Sequence, residues 1–264
     1  MTFQEWRSQH SGPLFAIVDA ALDTTAVADY CNQGGANAIP LLAGTAFADQ
    51  AEQGPWLLPN PTPEFIAAHP QLGGVFVTSN AVIDVVQQHW QSLIEVAFEG
   101  EVMWLRYADN RVFPKMLATM SQQELDDVLG PCLSLWANDR AWQRTPDTEF
   151  TPHQAPWFRI QPHHLIPLYD ESRHAYILSR HFWQRMEDMM ARHPNPESAI
   201  TTVLKQVNHA GLAGDVLDGV VAGALTLQAN MALDAIRAPL MLTDDDMAQV
   251  TNWLNKHPDL IGAS

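Results

Sequence analysis

Arg106, Asp109 and Arg111 stand close together in the stretch EVMWLRYADNRVFPKMLATM, residues 101–120. The chain is poor in basic residues, with 14 Lys and Arg against 30 Asp and Glu, so two guanidiniums beside one carboxylate have to be accounted for. An arginine fork matches a carboxylate bidentately, and removing one partner of a buried pair is strongly destabilising. Two readings follow. In one, Asp109 caps the following helix while Arg106 or Arg111 neutralises it. In the other, one arginine stays free to grip an acidic or carbonyl-rich partner segment. The readings are not exclusive, and Trp104 and Tyr107 belong to the same candidate recognition stretch.

Other residues invite catalytic or metal chemistry. Asp19 ends the apolar run Leu14–Ala21, and α/β folds place functional groups at strand C-termini. With no cofactor loop nearby, a structural acid that takes loop amides or pairs with an arginine across the sheet is the favoured reading. Among eleven histidines, His163, His164, His174 and His181 cluster in sequence. On a helix Asp170 and His174 would share a face with His181 two turns on, which could form part of a metal site. Interleaved Trp157, Phe158, Tyr169, Tyr176, Phe182 and Trp183 make a packing or docking surface the better reading. GxGxxG, Walker A, GxSxG and HExxH patterns are all missing, and Gly34-Gly35 and Gly73-Gly74 read as turns. No cofactor and no bound metal are expected.

The elements that must position these groups alternate through the first half. Leu14–Ala21 reads as a buried strand, and Asp23 or Thr24 caps a helix to about Gln33. Pro40 sends the run Asn37–Ala43 to an edge, Gly44–Gly54 has no clear period, and Thr62-Pro63-Glu64 starts a helix. Val75–Thr78 is a further strand. Val82, Val86, Trp90, Leu93 and Ala97 keep helical spacing up to Gly100. Glu101–Ala108 reads as a strand at the end of a buried element, Ser121–Glu124 as a capping box, and Cys132–Ala137 as the last strand. This pattern predicts an α/β domain over residues 1–138, built on a mixed sheet flanked by helices. Residues 139–156, with three prolines, read as a linker or crossing loop. Residues 157–264 read as an all-helical lobe with helices over His174–Arg192, Pro196–Ala210, Asp215–Ala235 and Thr243–Lys256.

Composition narrows the function. A formal charge of −16 repels phosphate backbones and argues against nucleic-acid partners. Cys31 and Cys132 form no CxxC pair and are expected to be small buried hydrophobes in a reducing compartment. The N-terminus lacks a signal-peptide build, and no apolar run is long enough to span a membrane, so a cytoplasmic protein without a membrane partner is expected. Only 17% of residues are charged, which suggests apolar surface meant for a partner.

The order of pieces resembles a known family: PLFAIVDAA, then GVFVTS with its helix, LRYADNRVFPKML, SQQELDDVLGP, and a strand carrying Trp136. It is similar to the effector adaptor/chaperone domain of bacterial type VI secretion, long catalogued as a domain of unknown function (DUF4123-like). The family's central motif has leucine, arginine, an aromatic, any residue, aspartate, proline and arginine, and later a glycine–proline turn. Leu105, Arg106, Tyr107, Asp109, Arg111, Gly130 and Pro131 match, while Asn110 stands where proline is usual. The resemblance covers Leu14–Ala137. It implies a protein that is not an enzyme, binds a cognate toxic effector in the producing cell, and helps load it onto the spike protein (VgrG). Two other classes remain open from the residues alone. One is a hydrolase using Asp19 or the His163/His174/His181 cluster, and the other is an immunity protein that blocks a toxin.

Overall fold

The computed structural model describes residues 1–10, 12–70, 72–207, 211–212 and 214–262. They divide into two compact units, Met1–Tyr169 and Asp170–Ser264. The first is α/β and the second helical, as the sequence pattern predicts.

In the first unit, helix α1 (Phe3–Gln9) opens on a capping box made by Thr2 and Glu5. Strand β1 (Leu14–Asp19) follows, then α2 (Ala26–Asn32), β2 (Ile39–Pro40), a 3-10 helix (Ala48–Gln53) and β3 (Pro55–Pro59). Next come α3 (Pro63–Ala68), with its first turn held by the Thr62 hydroxyl, and β4 (Val75–Ser79). Strands β7 (Cys132–Ala137) and β8 (Arg140–Gln143) complete a six-stranded sheet in the order β2-β3-β1-β4-β7-β8. Pro40 sits on its edge strand, as its missing N–H requires.

Every pairing in this sheet is antiparallel, which corrects the expected mixed sheet. The expectation rested on continuous apolar runs, the usual mark of strands buried on both faces of a parallel sheet. Here an antiparallel sheet is covered on both faces. Phe15, Ile17, Val75, Val77 and Leu135 point into one core, and Leu14, Ala16, Val18, Phe76 and Trp136 point into another. Double coverage produces the same runs whatever the strand direction.

Two further expectations fail between residues 82 and 104. Helix α4 (Ile83–Ser92) is shorter than the period suggested, and Ala97 lies in strand β5 (Glu95–Phe98). Glu99 and Gly100 have φ of +49° and +88° and form a two-residue turn into β6 (Glu101–Trp104). That backbone suits the twist of a hairpin, and glycine accepts it without cost. Strand β6 is not buried: Val102, Met103 and Trp104 are 55%, 47% and 48% exposed.

The segment 139–156, expected as a linker, begins with β8 on the sheet edge. Its alternating pattern was hidden by polar residues that an edge strand tolerates. Helices α5 (Phe113–Leu117) and α6 (Gln122–Leu129) lie between β6 and β7, and α7 (Pro162–Leu165) follows β8. Phe158 and Ile160 are buried in the first unit's core, so this unit runs past residue 157, where the helical lobe was expected to begin. Cys132 is buried as expected, but Cys31 is exposed on α2.

The second unit contains α8 (Glu171–Arg185), α9 (Glu187–Met190), α10 (Pro196–Val207), α11 (Gly214–Gln228), α12 (Arg237–Leu240) and α13 (Asp244–Lys256). No strand occurs among its described residues. Met186 leaves the helical region and splits the expected helix 174–192. The expected helix 215–235 ends at Gln228, and the end of the one expected over 196–210 lies outside the described residues. Helix α11 is apolar nearly all round because it packs centrally against α10 and α13. No helix among the described residues is long and apolar enough to cross a membrane.

Candidate functional site

The motif after β6 folds into a clamp around one buried acid. Asp109 has no exposed side-chain surface, whereas the side chains of Arg106 and Arg111 are 53% and 66% exposed. Arg111 Nε donates to Asp109 Oδ1 and Nη2 to Oδ2, both at 3.0 Å, in the bidentate fork its shape favours. The Arg111 amide also donates to Oδ1 at 2.9 Å, and Arg106 Nη2 lies 2.7 Å from Oδ2. Burial pushes the Asp109 carboxyl up, but the Arg111 hydrogen bonds and the two arginine charges outweigh it and hold the group below the usual carboxylate range. The Asp109 carbonyl accepts the amides of Val112 and Phe113, which starts α5. The neutralised internal acid of the first reading is present, although the Asp109 side chain does not cap α5, and neither arginine is free of the acid, although the outer faces of both guanidiniums meet solvent.

Asn110, in the place where proline is usual, has its own function in the fold. Its Nδ2 donates to the Leu72 carbonyl at 2.8 Å, and its carbonyl accepts from Asn138 Nδ2 at 2.6 Å. The turn is thus tied by side-chain amides in place of a rigid ring. Nothing in local spacing could reveal these long-range partners.

Four sequence-selected residues meet in one cleft of about 270 Å³, lined by Asp19, Trp104, Arg106 and Tyr107 together with Gln50 and Gln53. Tyr107 lines it from below and is only 1% exposed, so it cannot be the recognition residue its place in the motif suggested. Its hydroxyl has no hydrogen-bond partner, and burial pushes its pKa up. Asp19 Oδ1 accepts the Ala21 amide at 2.9 Å, the loop-amide role expected for a structural acid. No histidine lines this cleft.

The histidines do not converge. His163 and His164 meet Glu124 across α6 and α7, with His164 Nε2 3.1 Å and His163 Nε2 3.3 Å from Oε1. His174 pairs instead with Asp218 at 3.0 Å in the second unit, Asp170 caps α8, and His181 stacks near Phe182. Glu124 escaped notice because its capping-box role already explained it. The donor atoms of Glu124, His163 and His164 lie within 4.8 Å of one another, a spacing compatible with a metal ion. However, the Gln161 amide donates to His164 Nδ1 at 3.0 Å, so the ring hydrogen sits on Nε2 and points at Glu124. A metal on Nε2 would force that hydrogen onto Nδ1, against the Gln161 N–H. The group fits a hydrogen-bonded clasp between two helices better than a ligand set. Burial lowers the His164 pKa. Burial also opposes ionisation of Glu124, but bonds from Ser121 and His163 outweigh it and bring its pKa to about 2.

His89 on α4 was not singled out by sequence. It is buried, its Nε2 donates to the Val128 carbonyl at 2.8 Å, and its Nδ1 has no partner. Burial lowers its pKa to about 4. The unfolded chain therefore takes up a proton near pH 6.5 that the folded protein refuses. Stability is expected to fall as pH drops from about 6.5 to about 4. Thermal midpoints measured across that window should show the slope in the native protein and a shallower one in His89→Gln; equal slopes would remove His89 as the cause.

Comparison with known proteins gives one match. Residues 14–127 fit the family model described as "Domain of unknown function (DUF4123)". No curated protein and no solved structure matches. The matched stretch contains β1, the β5–β6 hairpin and the whole Arg106–Asp109–Arg111 clamp, and stops short of the Gly130-Pro131 turn. Residues 14–127, somewhat less than half of this chain, are therefore similar to the DUF4123 family.

Proposed function

We propose that this protein is a type VI secretion adaptor/chaperone, which binds a cognate toxic effector in the producing cell and helps load it onto the spike protein (VgrG). The observation that carries this reading is the clamp inside the stretch similar to the DUF4123 family: a buried acid locks two arginines whose outer faces stay open, and one of them, Arg106, lines a cleft. That arrangement suits recognition of a polypeptide by a fixed, pre-organised surface. It does not suit hydrolysis, because Asp19 lies in a cleft without histidine, His163 is held at Glu124, and His174 is engaged in the second unit.

The direct test is co-purification of the tagged chain with the products of neighbouring genes. A stable complex with an effector or a spike protein is expected, and absence of both sinks the reading. Protection of toxin-exposed cells by this chain alone would favour an immunity protein instead. Arg106→Ala is expected to lower stability by less than about 1 kcal/mol, since its side chain is half exposed. Effector retention in the same co-purification should drop clearly, and native levels of both stability and retention would remove Arg106 from the recognition face.

A further inference from the structure

The β5–β6 ribbon has one free edge. Ala97 N donates to the Phe158 carbonyl at 2.9 Å, and Ile160 N donates to the Ala97 carbonyl at 2.8 Å, so the chain near residue 159 covers β5 on its outer side. Ala97 lies opposite Val102. Opposed residues of an antiparallel pair turn their main-chain groups either toward each other or both outward. Since Ala97 turns outward, Val102 does too, and Trp104, two residues on, shares that direction. The sheet of β5 and β6 has only these two strands, so nothing pairs with the outer side of β6 among the described residues.

This edge is only partly protected. Of the devices that guard natural edge strands it has shortness, at four residues, and one charged side chain, Glu101, but no lysine, proline or bulge. Its side chains Val102, Met103 and Trp104 are exposed, and the Trp104 ring stands edge-on to Phe47 at 4.5 Å. Just past the strand, Leu105 N donates to the Ile94 carbonyl at 2.9 Å, and the motif clamp follows.

Charge defines the occupant. The sequence has no Lys or Arg between Arg7 and Arg106. Glu99 and Glu101 sit on the ribbon, and Asp19 lines the cleft with Trp104 and Arg106, whose charge is already met by Asp109; Asp49 and Glu52 lie on the 3-10 helix that supplies Gln50 and Gln53 to the same cleft. We propose that the outer edge of β6 binds an extended basic segment of a partner protein, which adds as a strand alongside Glu101–Trp104. Main-chain bonds to Val102 and Trp104 supply affinity, and lysines or arginines alternating with apolar residues supply specificity. A second copy of this chain is a poor occupant, because two molecules of formal charge −16 would bring acidic ribbons together. The proposal rests on the adaptor reading and names the form in which that site takes its partner.

The test uses the intact protein and fluorescein-labelled peptide KVKVKVKV, read by anisotropy. Two control peptides are EVEVEVEV and KVKVKVKV N-methylated at alternate amides. Loss of the pairing hydrogen bonds or of the charge match should weaken binding roughly tenfold or more in each control. Val102→Pro removes an outward N–H and should have the same effect. Val102→Lys keeps the amide but adds a like charge, and should weaken binding even if the proline variant loses its hairpin. No binding of KVKVKVKV, equal binding of the N-methylated form, or native binding by both Val102 variants would overturn the proposal. So would a concentration-dependent dimer in sedimentation that Val102→Lys abolishes, since that would make a second copy the occupant. Effector co-purification that survives both Val102 variants would remove the edge site and leave the adaptor reading standing. Peptide binding without any effector complex would do the reverse.

Discussion

Asp109→Ala is expected to lower the free energy of unfolding by about 3 kcal/mol, the largest loss of any single change in the clamp. The alanine removes the acceptor of three Arg111 hydrogen bonds and of the Arg106 contact at once. It also leaves a void where a fully buried side chain stood. The loss stays at the lower end of what breaking a buried pair costs, because both guanidiniums are more than half exposed and regain water. Arg106→Ala should cost much less, since Arg111 still neutralises the acid. Because the folded Asp109 carboxyl sits below its ordinary value, its contribution is fully present above the unfolded carboxyl's pKa of about 4 and is lost as pH falls through the lower folded value. Denaturant titrations of native and Asp109→Asn protein at pH 7 and pH 3 check this. The difference between them should shrink at the acid end, and a constant difference would mean that charge is not what the clamp depends on.

Gly130→Ala should cost about 4 kcal/mol, from two independent sources. Gly130 has φ +55° and ψ −116°, a region open in practice only to glycine. A Cβ there would also lie 2.3 Å from the buried His89 ring, far inside contact distance. Asparagine, which tolerates the ordinary left-handed region, should not rescue this ψ. Adding His89→Ala should relieve the clash but not the strain, so the double variant should be more stable than the sum of the single losses predicts. Additive losses would mean that the ring already moves aside freely. The glycine of the Gly130-Pro131 turn is thus required by backbone shape and by a histidine packed against it, which gives this motif element a structural role.

How much of this was legible beforehand follows from the range of each interaction. The capping box at Ser121, the Thr62-Pro63 helix start and the edge position of Pro40 are set by neighbouring residues, and each appears where spacing placed it. The clamp was half legible. Arg111 and Asp109 are two residues apart and find each other locally, but the complete burial of the acid depends on the fold around it. Strand direction was not legible, because burial on both faces erases the alternation that distinguishes antiparallel strands. The hairpin at Glu99-Gly100 was masked by apolar residues that happen to keep helical spacing from Val82 to Ala97.

The sequence by itself determined the two-part α/β and helical composition, the family resemblance of Leu14–Ala137, and which acid and arginines belong together. Only the tertiary structure decided that Asp109 is buried while its arginines face solvent. It also decided that Tyr107 is hidden and Trp104 exposed, and that the histidines part company. These are consequences of contacts between residues far apart in the chain: Asn110 with Leu72, Glu124 with His164, Ala97 with Phe158. The stretch from Glu101 to Arg111 therefore reads one way as a string and another in space: its apolar half is an open strand edge, and its charged half closes on a buried acid.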